Sequence, residues 1–124
     1  MVKGVLPSGK LIFRIKEASD IIGVPAHVLR FWETEFSWIS PERDAGGRRR
    51  YTRRNIEDLL VVKKMLHEDR YTIPGARKVL SRARHEGRIN DYRKPTRDVL
   101  KKYDDRIMLQ SVRKELQKLL DMLR

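Results

Sequence analysis

Arginines set among glycines and aromatics are the residues of this chain best placed to do chemistry, and that chemistry is the holding of phosphate. The run Val-Pro-Ala-His-Val-Leu-Arg-Phe-Trp-Glu at 24–33 has a helical period. Leu29, Trp32 and Phe36 share one face, so Ala26, His27, Arg30 and Phe31 lie on the other. Ten residues further on stands Arg43-Asp-Ala-Gly-Gly-Arg-Arg-Arg-Tyr51-Thr. Arg30 is expected to contact nucleic acid directly, through a guanine edge or through a phosphate. A surface ion pair with Glu33 is the alternative. His27 reads as a base or phosphate contact. Arg43, Arg48, Arg49 and Arg50 belong to the second cluster. Strand alternation sends Arg48 and Arg50 to one face and Arg49 to the other. Tyr51 has two readings: a hydroxyl donated to phosphate, or an aromatic packed at the base of the hairpin.

The bulk composition agrees. Of 124 residues, 29 are Lys or Arg and 17 are Asp or Glu, a net charge of +12. So strong a field repels itself unless a polyanion uses it. The excess sits mostly ahead of the C-terminal segment. A solvated basic surface or a ribosome-associated protein would also carry such a charge.

Other classes find little support. No cysteine is present, which excludes disulfides, thiolate zinc sites and cysteine redox sensing. Three scattered histidines, no Gly-rich phosphate loop and no His/carboxylate cluster argue against an enzyme, a metal or a cofactor. No apolar run approaches the ~18–20 residues of a membrane span. The N-terminus lacks the long apolar core of a signal peptide. A cytoplasmic protein is expected.

Several elements must position these residues. Residues 1–11 read as a loose arm. Leu11 to Ile15 is either a brief strand or the entry to a helix. Lys16 to Ile22 reads as a helix, stopped by Gly23, with Pro25 in the first turn of the next. Helix, tight turn, helix over 16–36 is a helix-turn-helix. Residues 41–51, centred on Gly46-Gly47, read as a hairpin or wing. Thr52 is the expected N-cap of a helix from Arg53 to about Asp69. Thr72 caps another that runs to about Arg84. Residues 85–97, broken by Gly87 and Pro95, read as a linker. Residues 98–124 read as a charged helix. On it Leu109, Val112, Leu116, Leu119 and Leu123 follow the 3-4 spacing of a coiled-coil seam. Leu100, Tyr103 and Ile107 have the same spacing but another phase, so the seam slips near 107–109. A second copy of the chain is the expected partner of this seam; folding back on its own domain is the alternative.

Five ordered pieces carry a resemblance: Phe13-Arg-Ile-Lys-Glu-Ala-Ser, Gly23-Val-Pro, Leu29-Arg-Phe-Trp-Glu33, Gly47-Arg-Arg-Arg-Tyr51-Thr and Thr72-Ile-Pro-Gly-Ala-Arg-Lys-Val-Leu80. Over about residues 12–84 the chain resembles the N-terminal DNA-binding domain of the MerR family of bacterial transcriptional regulators. Trp32 stands where the family usually has tyrosine. The resemblance implies a mainly α fold, with a winged helix-turn-helix over 12–84 and a dimerisation helix over 98–124. It implies a homodimer on a pseudo-palindromic promoter site, with distortion of the DNA so that RNA polymerase can engage it. It makes Arg49 the wing arginine and Tyr51 its aromatic partner. No small-molecule effector is expected, because neither a large pocket domain nor a cysteine-bearing metal loop follows the helix. Two rival readings remain. One is an architectural, excisionase-like factor that bends DNA. The other is an adaptor whose basic face meets an acidic protein.

Overall fold

The computed structural model describes residues 10–124. The expected arm therefore falls outside the described residues as far as residue 9. At its end, Lys10 pairs with Glu17, and its carbonyl accepts from Arg53 Nε at 2.9 Å.

The elements run β1 (Ile12–Phe13), α1 (Ile15–Ile22), α2 (Ala26–Glu35), β2 (Glu42–Arg43), β3 (Arg49–Thr52), α3 (Arg53–Lys63), α4 (Ile73–His85), α5 (Ile89–Arg93) and α6 (Arg97–Met122). The chain is mainly α, a winged helix-turn-helix followed by a long C-terminal helix. The ambiguous stretch before α1 supplies both things expected of it, a two-residue strand and then the helix.

Local chemistry explains the boundaries. Gly23 takes φ 81° and donates its N–H to the Ser19 carbonyl, ending α1 in the left-handed conformation that a Cβ disfavours. Lys63 Nζ reaches the Ile22 carbonyl at 2.6 Å and satisfies the same helix end. Pro25 is the N-cap of α2, one residue earlier than its expected place in the first turn. Thr52 caps α3 by accepting from Asn55 N, while Asn55 Oδ1 accepts from Thr52 N. Thr72 accepts from Gly75 N at the start of α4.

Two stretches differ from expectation. The helix expected as far as Asp69 is α-helical only to Lys63 and continues as one π turn over Lys64–Glu68. The turn that follows holds Arg70 at φ 61°. Residues 85–97, read as a linker, fold. They form α5 and a 3-10 turn, Lys94–Thr96, that leads into α6. Ile89 and Tyr92 pack on the core, and Arg93 and Thr96 are buried. Arg93 binds Asp58 of α3 through Nε at 2.6 Å and Nη2 at 3.2 Å. Burial pushes the Asp58 carboxyl up, against the opposing pull of the Arg93 guanidinium. Polar composition concealed the segment, because its anchor is itself a charge.

The core lies between the helix-turn-helix, α3 and α4. Leu29, Trp32 and Phe36 are buried as their spacing required, together with Phe13, Ile22, Ile39, Tyr51, Leu59 and Leu80. The sheet has the order β1-β3-β2 and both pairings are antiparallel. Phe13 faces Tyr51 across one pair, and Arg43 faces Arg49 across the other. The wing is therefore sewn to the body by β1.

Candidate nucleic-acid interface

The wing's shape begins at Asp44. Its Oδ1 accepts from Gly46 N at 2.9 Å and Arg48 N at 3.0 Å, while Gly47 N donates to the Asp44 carbonyl. Gly47, at φ 81°, closes the turn. The other oxygen of Asp44, Oδ2, pairs with Arg14 Nη1 at 2.8 Å, and Arg14 also donates to the Arg49 carbonyl. The backbone N–H of Arg48 is the main reason the Asp44 carboxyl sits below its ordinary range, with Arg14 adding to the effect. Arg43 Nη1 holds the Gly47 carbonyl at 2.9 Å. Two of the arginines around this hairpin thus brace it from within.

Glu33 joins the recognition helix α2 to the wing. It accepts from Arg49 Nε at 2.9 Å and from the Tyr51 hydroxyl. Residues 49 and 51 share one face of a strand, so both reach the same carboxylate. Tyr51 is fully buried. Its phenol is pushed well above the ordinary value, first by burial and then by its hydrogen bond to Glu33. Of the two readings of Tyr51, the packed aromatic is the one its surroundings match: its ring lies in the core and its hydroxyl donates to Glu33. Arg49 does double service, tied to Glu33 yet open on one side.

That open side is a cleft of about 190 Å³ lined by Arg14, Ile15, Arg30, Gly47, Arg48 and Arg49. Four arginines therefore line one cleft between the start of α1, the outer face of α2 and the wing, two of them, Arg14 and Arg49, also tied to Asp44 and Glu33. A concavity lined by four arginines suits a phosphate. Arg30 is exposed, and the alternative pairing with Glu33 is not made, because Glu33 is occupied by the wing. His27 is exposed on the same helix, Ala26 is half-buried beside it, and Phe31 is 50% exposed. Arg50 is half-buried on the strand face opposite Arg49. The structure thus gathers Arg30, Arg48 and Arg49 at one cleft. It sets Ala26, His27 and Phe31 along the exposed flank of α2 and assigns Arg43 to bracing.

Sequence reasoning missed Arg14, Asp44 and the task of Glu33. The signal for Glu33 was available: a strand's alternation puts residues 49 and 51 together, and a buried arginine–tyrosine pair needs an acceptor. Arg14 and Asp44 gave none, because their contact joins residues 30 positions apart. Also unforeseen is the contact of Trp32 with His67, ring centroids 5.7 Å apart, which sets the π turn against α2. Arg77 of α4 pairs with Glu35 at 2.9 Å on the same helix.

Helix-turn-helix, wing and an arginine-lined cleft between them define a DNA-binding module. The model of the MerR helix-turn-helix family of regulatory proteins matches residues 13–83, more than half of the chain. The chain belongs to that family and is a DNA-binding regulator. No curated protein matches it. Among the described residues no helix is long and apolar enough to cross a membrane, and no group of His, Asp and Glu could hold a metal ion.

Proposed function

We propose that this chain binds a pseudo-palindromic promoter site as a homodimer and regulates transcription from it, inside the cytoplasm and without catalysis. The observation that carries the reading is the cleft where Arg30, Arg48 and Arg49 converge beside the exposed face of α2. Arg30, His27 and Phe31 read base edges in the major groove. Phe31 suits the methyl group of thymine. Arg48 and Arg49 hold the flanking phosphate, Arg49 from a position fixed by Glu33.

The dimer rests on the geometry of α6. Leu100 is buried, and Tyr103 packs edge-on to Phe13 with ring centroids 6.0 Å apart, so this face meets the chain's own domain. Leu109, Val112, Leu116, Leu119 and Leu123 are 51–85% exposed. At about 100° per residue the two sets point roughly 165° apart around the helix axis. The slip of phase at 107–109 is thus a change of partner. The leucine seam turns away from its own domain, which favours a second copy over folding back. The long seam also favours a dimeric regulator over an excisionase-like bending factor. RNA polymerase at the promoter is the further partner this reading carries.

The test is protection of promoter DNA by the purified chain as salt is raised. The proposal expects protection at low salt and a steep, linear fall of log affinity with log salt as counterions are released. Absence of protection at low salt would end it.

A further inference from the structure

One guanidinium links the wing's base to the long helix. Arg53 is the first residue of α3 and directly follows β3. Its Nη2 reaches both carboxylate oxygens of Asp104, at 2.6 and 2.7 Å. Its Nε donates to the Lys10 carbonyl, and its guanidinium carbon lies 5.8 Å from the centroid of the Phe13 ring. Phe13 belongs to β1, pairs with Tyr51 of β3 and meets Tyr103 of α6. The sheet, the start of α3 and α6 therefore meet at one point. A second polar tie between α6 and α3, Arg97 Nε to Glu57 Oε2, is 3.4 Å long, with Arg97 half-exposed, and is correspondingly weak. Leu100 and Tyr103 anchor α6 by apolar contact, which is less directional than a charge-assisted hydrogen bond. The Arg53–Asp104 pair, partly buried at 27% and 16% side-chain exposure, supplies the directional restraint.

The consequence is leverage. From Asp104 to the seam's midpoint at Leu116 is 12 residues, about 18 Å of helix. A tilt of about 10° at Asp104 displaces that midpoint by about 3 Å, close to the 3.4 Å rise of one base pair. In a two-fold dimer both arms tilt, so the displacement acts twice on the separation of the two recognition helices. We propose that Arg53 and Asp104 set the half-site spacing that the dimer accepts, by fixing the direction in which α6 leaves the base of the wing. This rests on the dimer reading given above. Asp104 is a positioning residue: it acts through α6.

The experiment compares wild type, Asp104→Asn and Asp104→Glu on a set of duplexes. Each carries two inverted copies of a half-site obtained by selecting bound sequences from random DNA, with spacers stepped one base pair at a time, beside a duplex carrying one copy. Wild type is expected to show a sharp optimum. Asp104→Asn should broaden it, bringing spacings one and two base pairs away to within about threefold of the best, with single-copy affinity unchanged. Asp104→Glu keeps the charge and should keep the sharpness. An Asp104→Asn profile as sharp as wild type, or a fall in affinity equal at every spacing and on the single copy, overturns the proposal. A wild type with no spacing optimum overturns the dimer reading, and this proposal with it.

Discussion

The arginines of this chain divide by what faces them. Arg14 meets Asp44, Arg49 meets Glu33 and Arg93 meets Asp58, so each carries a structural load. Arg30 stands exposed at the cleft, free of the Glu33 pairing its sequence neighbourhood suggested. Arg30→Ala should cost about 1–3 kcal/mol of base discrimination if it reads a guanine edge. The measurement is affinity for the selected site and for a site mutated at each base; equal losses on all of them would assign Arg30 to phosphate instead. Tyr51→Phe tests the bond from the tyrosine hydroxyl to Glu33. It removes a buried donor and leaves Glu33 short of a partner, which costs about 1–3 kcal/mol in urea unfolding. The pH dependence has a definite sign. The folded-state phenol of Tyr51 lies above its ordinary value of 10.0, so its stabilisation is complete below pH 10 and is lost as pH rises further. Tyr51→Phe should flatten that alkaline decline.

At the scale of elements, the wing and α5 show what was readable in the sequence. Gly46-Gly47 announced a turn and the arginines after it a strand with two faces, but the strand begins at Arg49, and Arg48, expected on the face opposite Arg49, lines the same cleft as it does. The periodicity of Leu29, Trp32 and Phe36 placed α2, and Thr52 and Thr72 marked two helix starts. These signals are local, which is why they could be read. The lock between wing and body was hidden at Arg14–Asp44, a tertiary contact between residues that look solvated, whereas strand alternation at 49 and 51 did point towards Glu33. Hidden for the same reason was α5, whose five residues are held by a buried ion pair beside only two partly buried apolar side chains, Ile89 and Tyr92. The wing carries an acid-side prediction. The Asp44 carboxyl is held below the usual aspartate value of 3.8, so the order it confers is present above that pH and lost as pH falls through the lowered value. Amide exchange at Gly46 and Arg48 should quicken there before the rest of the domain opens; simultaneous opening would deny Asp44 its role. For α5, Arg93→Ala leaves the buried Asp58 charge unpaired and should cost about 3–5 kcal/mol of stability by urea unfolding. A loss under ~1 kcal/mol would show the pair to be solvated in solution.

For the whole molecule, the division of α6 into two faces governs what the protein can be. Its first part belongs to the chain's own domain through Leu100, Tyr103 and Asp104. Its second part offers a seam that nothing in the same chain covers among the described residues. Leu116→Lys should give a monomer by sedimentation that still binds a single half-site weakly but loses preference for the paired site. The measurement that bears most directly on the account is selection of bound sequences from random DNA by the purified chain. A homodimer with two recognition helices should enrich two inverted copies of one short motif at a fixed spacing. No enrichment, or a single unrepeated motif, would contradict it.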